Sequence, residues 1–514
     1  MSLGDPLARY WPTHGWQPST PEEQGLESQS IVRLLREIHA HMPRLHSLLL
    51  VRNGRVVAEV YYYPFGPDWR HGVASCTKAV MSSLVGVAIQ QGYLHSTKQH
   101  LLDFFPDRSI ANRDARKEAI TIEHLLTMSS GLHCIYTDLE VTLYEMRASA
   151  DWVQFMLDQP MDYEPGTQFF YNSGASHLIS AILTRATGRP MLELAREHLF
   201  GPLGIRDVSW ASDPQGNTRG WGHLQLQPRD MARFGYLFLN DGVWEGRRVL
   251  PPGWVAESTR LHFDPWPRGH GYGLLWWLQC ASAQSGARDG AVPAGQHGLL
   301  QAQRSGFGFV QWYFAAGIGV QLIAVHPAAK LVCAVTGSTD QEDRDTLFQL
   351  LEEYVVGSAR DGVLPRDVEG QKLLQAEIAA AVGPGPGPVL PLPAMAQRVT
   401  GRIITLEPNA LGWNTLVLHF PAGSAVARVS CNGSAPADVG LDGMPRLTAE
   451  PDRTQRSAWR GWWEGESFLL EWDTLSQYRR YRLCFTFCGT EVTVFSHESA
   501  NVVDQEFKGR VASQ

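Results

Sequence analysis

Ser75-Cys76-Thr77-Lys78-Ala79-Val80-Met81-Ser82-Ser83-Leu84 opens a segment in which Val80, Leu84, Val87 and Ala88 recur at helical spacing, up to Gly92. That period places them on one face of a buried helix, with Gly92 as its stop. Ser75 stands at the start of it. Positions i and i+3 of a helix share a face, so Ser75 Oγ and the Lys78 ammonium can meet. A lysine held out of water beside other positive charge loses its proton more readily and can then take the serine proton. The helix N-terminus offers N–H groups and a positive dipole end to a developing oxyanion. The bland reading of the same residues is a serine that caps a helix, followed by an exposed lysine. Of six lysines, at 78, 98, 117, 330, 372 and 508, only Lys78 has a serine three positions earlier.

Upstream, Ser47 to Tyr62 carries two apolar, β-branched runs on either side of Asn53-Gly54, a dipeptide that favours positive φ in a tight turn. A hairpin is expected there, followed by a loop through Pro64, Gly66 and Pro67. From about residue 100 to 205 the signals are helical. Strands are expected again at Gly319–Val325 and Leu331–Val335, with a turn from His326 to Lys330, and Phe348–Val356 reads as a closing helix. Gly383-Pro384-Gly385-Pro386-Gly387-Pro388 is a linker, after which strand-like runs such as Thr415–Phe420 and Tyr481–Phe487 dominate. The expected organisation is a catalytic unit over 1–380, a linker over 381–396 and an all-β barrel or sandwich over 397–514.

The chain of 514 residues is 44% hydrophobic and 19% charged, enough for more than one core. Its formal net charge of -8 leaves no footprint for nucleic acid. No run of 18 apolar residues is present, so no membrane span is expected. Met1-Ser2-Leu3-Gly4-Asp5 lacks the order of a secretory signal, which points to the cytoplasm, although a removed signal stays open. Seven scattered cysteines show no zinc spacing and read as free thiols in a reducing compartment. No metal or organic cofactor is implied.

Six segments in order carry a family resemblance. They are Ser75-Cys76-Thr77-Lys78, Leu125-Leu126-Thr127-Met128-Ser129-Ser130-Gly131-Leu132, Pro165-Gly166-Thr167 leading to Phe170-Tyr171-Asn172-Ser173, Arg229 to Gly235, Gly271 to Trp277, and Ala315-Ala316-Gly317-Ile318-Gly319. Through them residues 20 to 357 resemble the β-lactamase and penicillin-binding-protein-like serine hydrolases. The branch is that of class C enzymes and esterases, near the 6-aminohexanoate-dimer hydrolases. The fold this implies is α+β, β-lactamase/transpeptidase-like: an antiparallel sheet flanked by helices, plus a helical subdomain.

The resemblance also implies roles. Ser75 is the acylated nucleophile, and Lys78 and Tyr171 move its proton. A phenol with its ordinary pKa near 10 needs a cationic neighbour to serve as a base, which ties Tyr171 to Lys78. Ser75 N–H and Ile318 N–H form the oxyanion hole. Ser173 stands where the family has asparagine, so its contact with a substrate amide is weakened. Ala315, Ala316 and Gly317 line the pocket, but the cation and hydroxyl that hold a β-lactam or peptide carboxylate are absent there. His133 and Tyr136 follow the Ser-Ser-Gly-Leu turn as candidate substrate contacts. Glu164 reads as a turn residue before a deacylating base, and Trp276, Trp277 and Trp312 as packing before pocket walls. In the C-terminal unit Trp459, Trp462 and Trp463 read as core before a ligand platform.

The expected function is hydrolysis of a small, uncharged ester or amide. A β-lactamase or D,D-peptidase and D-aminopeptidase is one alternative, and a silent binding protein on the same scaffold another. Self-association as a homodimer stays open.

Overall fold

The computed structural model describes residues 9–137, 139–266, 270–280, 310–338, 343–383, 385–448, 456–499 and 503–512. Met1–Asp5 and Pro384 lie outside them.

Asn53 and Gly54 take positive φ of 51° and 81° and turn strand Leu45–Arg52 into strand Arg55–Tyr61, forming the hairpin expected from that dipeptide. The hairpin is the edge of an eight-stranded sheet. Its order is Arg55–Tyr61, Leu45–Arg52, Leu331–Gly337, Gln321–His326, Val310–Gly317, Trp277–Cys280, His270–Tyr272 and Phe263–Trp266, with every neighbouring pair antiparallel. The central strand Leu331–Gly337 is buried along its whole length, because helices cover both faces of the sheet.

One face packs on helices Ser28–His41 and Asp343–Leu351, in a core that includes Leu34, Leu48, Trp312, Phe314 and Phe348. Helix Val368–Val382, which the sequence pattern did not reveal, runs beside Ser28–His41 and is pinned by Arg36 Nε to Glu377 Oε1 at 2.7 Å. The other face receives helix Pro228–Leu239. Gly235 makes this close approach fit, since a Cβ there would lie 2.7 Å from Val332 and 2.9 Å from Ile323. Helix Thr77–Gln90 lies in the same core, buried from Thr77 to Ala88. Between Leu101 and Phe200 the described elements are helices, joined only by isolated bridges. No helix among the described residues is long and apolar enough to cross a membrane.

Beyond residues 385–393, nine strands from Ile403 to Val511 close into a barrel, which a parallel contact of Gly440 with Arg460 completes. Inward residues alternate along each strand, as in Phe468 and Leu470 or Leu483, Phe485 and Phe487. Trp459 is buried and stacks on Trp472 at 4.9 Å, Trp463 packs on the core, and Trp462 is spent on Glu464. The seven cysteines are free thiols, though only Cys76, Cys134, Cys280 and Cys333 are buried and Cys488 is exposed.

The barrel's outer face carries an ion cluster. Glu471, 1% exposed, is flanked in register by Arg460 and Arg482 on the neighbouring strands and also takes Arg480 Nη2 at 2.6 Å. Burial pushes its carboxyl up, but the three guanidiniums outweigh that and carry it down to about 2. Asp473 and Arg480 of the same face interact with Arg44 and His46 of the first unit.

Glu471→Gln leaves these guanidiniums facing a neutral amide. Breaking a buried pair of this kind costs on the order of 3 kcal/mol. We expect the barrel's calorimetric transition to fall accordingly at pH 7. The wild-type advantage should shrink as pH drops from about 4 toward 2, because a carboxyl depressed in the folded state stabilises only while ionised.

Candidate active site

The site is built where three separate stretches meet. A single 3₁₀ turn, Ala74–Cys76, precedes helix Thr77–Gln90, and Ala74 has a positive φ of 45°. That bend delivers Ser75 to the sheet surface. Lys78, one turn on and 2% exposed, donates from Nζ to Ser75 Oγ at 3.0 Å, Ser173 Oγ at 3.2 Å and Trp221 O at 3.2 Å. Burial lowers its pKa to about 7, against the Glu140 charge that pulls it up.

The helical subdomain supplies the second wall by interlocking two of the sequence segments. Phe170 N donates to Met128 O and Gly166 N to Ser129 O, both at 2.8 Å. Asn172 caps helix Ser173–Thr187 by accepting from Ala175 N at 2.9 Å, so its side chain is turned away from the pocket. Tyr171 hydrogen-bonds Ser75, and its ring lies 4.7 Å from Lys78 Nζ and stacks on Trp277 at 6.0 Å. Burial drives the phenol well above its usual range, and the Ser75 hydrogen bond only partly opposes this. Burial therefore works against a phenolate at Tyr171, and of the two groups it is Lys78 whose pKa falls toward neutrality.

The third wall is the end of strand Val310–Gly317. A Cβ on Gly317 would lie 2.7 Å from Val73 O, 2.8 Å from Ala74 Cβ and 3.0 Å from Ser75 N. Only glycine lets that strand lie against the Ser75 turn, and Ile318 follows directly. Ala315 belongs to the core on the Ser75 side of the sheet. Ala316 belongs to the opposite core, so its side chain does not line the pocket, in keeping with the two-residue alternation of a strand.

Other expectations divide. Ser173 is 3% exposed and its hydroxyl is engaged by Lys78, so the expected substrate contact becomes a lysine contact. Tyr136 is 50% exposed at the rim and interacts with Glu140 and Tyr171. His133 faces Asp162, Nδ1 to Oδ2 at 2.9 Å. Glu164 is an exposed turn residue whose carbonyl accepts from Thr167. Trp276 and Trp312 are fully buried core, and Trp277 packs against Tyr171 and Tyr272.

Glu140 escaped the sequence reading. It is 6% exposed and accepts from Ser173 N at 2.6 Å, and burial raises its pKa while Lys78 opposes the rise. It sits in a loop with no motif, so only the fold reveals it. A second support was equally hidden. Gly220 N approaches His177 Nδ1 at 3.4 Å, and His177 Nε2 lies 3.0 Å from Asp213 Oδ2. That buried pair fixes the turn whose Trp221 carbonyl holds Lys78. Arg344 adds a guanidinium over the Phe314 ring within electrostatic reach of Tyr171.

Fold and site together define a β-lactamase/transpeptidase-like protein. A family model described as Beta-lactamase matches residues 40–355, and the chain belongs to that family. Its relatives include hydrolases. A 6-aminohexanoate-dimer hydrolase of Paenarthrobacter ureafaciens is 24% identical over 302 residues, 54% of this chain and 76% of that protein. Esterase EstB of Burkholderia gladioli is 27% identical over 160 residues, 29% of this chain and 40% of that one. In fold, the chain is similar to a solved putative 6-aminohexanoate-dimer hydrolase from Bacillus anthracis. The TM-score is 0.50 at 18% identity, over 64% of this chain and 82% of the other.

Gly317→Ala places a methyl group inside contact distance of two backbone atoms. Overpacking of this kind costs about 1–3 kcal/mol. The melting transition of the first unit is expected to fall, while a Gly→Ala change at exposed, unobstructed Gly383 should leave it in place.

Proposed function

We propose that the protein is a serine hydrolase that cleaves a small ester or amide through an acyl-enzyme on Ser75. The observation that carries this is the 3.0 Å contact of Lys78 Nζ with Ser75 Oγ, made by a lysine whose pKa lies near 7. At neutral pH much of Lys78 is an uncharged amine, able to accept a proton.

Ser75 Oγ bonds to the substrate carbonyl carbon as its proton passes to Lys78 Nζ. The carbonyl π electrons move onto oxygen, where the N–H groups of Ser75 and Ile318 receive the charge. The bond to the leaving alkoxide or amine then breaks, and that group takes a proton relayed from Lys78 through the Tyr171 hydroxyl. Water adds to the acyl carbon, giving its proton to the same pair. The Ser75 ester bond breaks, the carboxylic acid departs and Ser75 is reprotonated. Trp221 O and Ser173 Oγ hold the amine in place throughout, and Glu140 biases it toward the charged form.

A fluorophosphonate probe followed by intact mass should give one adduct, absent in Ser75→Ala. A folded protein that gives no adduct overturns the reading. With a p-nitrophenyl ester, kcat/KM should rise with pH and level above about 7, because the free amine is the active form. Glu140→Gln removes the charge that raises the Lys78 pKa, so the rising limb should move to lower pH. Lys78→Met should lower kcat by at least about 10²-fold. Nitrocefin turnover equal to or above that of the ester would assign the site to β-lactams instead.

A further inference from the structure

The seam between the barrel and the helical subdomain holds a cavity of about 650 Å³. Three arginines from three distant stretches line it: Arg147 of helix Val141–Ala148, Arg219, and Arg479 of the barrel hairpin. Glu498 is the one acidic side chain in that lining. The Tyr144 and Trp152 rings lie under Arg147 and Arg219 at 5.7 and 5.0 Å. Burial, and next to it the charge of Arg147, lowers the Arg219 pKa, so these two guanidiniums repel one another across the cavity. Enclosure by protein and then Arg219, Arg147 and Arg479 push His223 down to about 3. Glu498 acts on Arg479 and Asp213 on Arg219, so three guanidiniums are gathered against two carboxylates.

Three connections tie this cavity to the nucleophile. Arg219 is two residues from Trp221, whose carbonyl holds Lys78. Leu139 of the lining precedes Glu140, which accepts from Ser173 N. Arg479 follows Tyr478, whose side chain lies against Gly72 and Gly319, on the two segments that flank Ser75 and Ile318. Ser476 O of the same hairpin accepts from Gly72 N at 3.0 Å.

Resting on the Ser75 reading, we propose that Arg147, Arg219 and Arg479 form a subsite for a carboxylate carried by the ester or amide substrate, remote from its scissile carbonyl. Guanidinium forks bind carboxylates by paired, charge-assisted hydrogen bonds. The rings and Leu411 take the apolar body of the ligand. On this proposal the cation absent from position 315 is supplied from elsewhere.

Mono-4-nitrophenyl adipate and its methyl-capped diester differ only in a terminal carboxylate. The pair 4-(butyryloxy)benzoate and its methyl ester puts the same difference on the leaving group. With the full chain, the acid member of at least one pair should have the higher kcat/KM by tenfold or more, with the ratio falling as salt rises. Arg147→Gln, at an exposed helix position, and Arg479→Gln should each reduce that ratio at least threefold. Equal turnover of acid and capped members overturns the subsite. So does a preference that survives both changes but disappears in Arg344→Gln. Failure of the Ser75 reading is read separately, as no turnover of any ester. In that case methyl hydrogen adipate is titrated into Ser75→Ala protein and Trp fluorescence is followed. Saturable binding weakened by Arg147→Gln upholds the subsite, and its absence overturns it.

Discussion

Keeping water away from the Lys78 amine is the constraint on which the rest depends. An ammonium in bulk water has no reason to release its proton near neutrality, and one buried without partners would destabilise the fold by several kcal/mol. The chain meets both demands with three acceptors. Ser75 Oγ comes from the preceding turn of the same helix, Ser173 Oγ from the helical subdomain, and Trp221 O from a turn set by His177 and Asp213. None of these stretches can be displaced without leaving the amine short of a partner. The site is therefore a readout of the whole first unit, and its precision is that of helix-on-sheet packing at Gly235 and strand-on-turn packing at Gly317.

What could be read from the sequence was what is local. The Asn53-Gly54 turn, the helix after Ser75 and the Ser75–Lys78 pairing each need only neighbouring residues and a known period. The family resemblance carried the sheet-and-helix fold and brought Tyr171 to the site. What the sequence hid is what depends on distance along the chain. Glu140 lies in a loop and reaches the neighbourhood of Lys78 only because helix Ser173–Thr187 begins against it. Trp221 contributes a backbone carbonyl, which no side-chain pattern marks. The direction of the Tyr171 shift depends on how fully the ring is enclosed, a property of packing and not of residue type. Nor does any local pattern gather Arg147, Arg219 and Arg479, which line one cavity only in the fold.

The barrel completes this picture of charge managed across distance. Its own ladder places Arg460 and Arg482 beside Glu471, and its docking face adds Arg480 and Asp473 against Arg44 and His46. Those polar contacts hold it in one orientation. That orientation brings the loop between strands Ser467–Thr474 and Arg480–Cys488 to the Ser75 turn.

The Ser476 carbonyl that receives Gly72 N–H makes the barrel more than an appendage, because its removal would orphan a main-chain amide three residues before Ser75. One hydrogen bond thus couples the Ser75 turn to a hairpin some four hundred positions later, so a shift of that hairpin's backbone is felt at Ser75 while its side chains remain free to change.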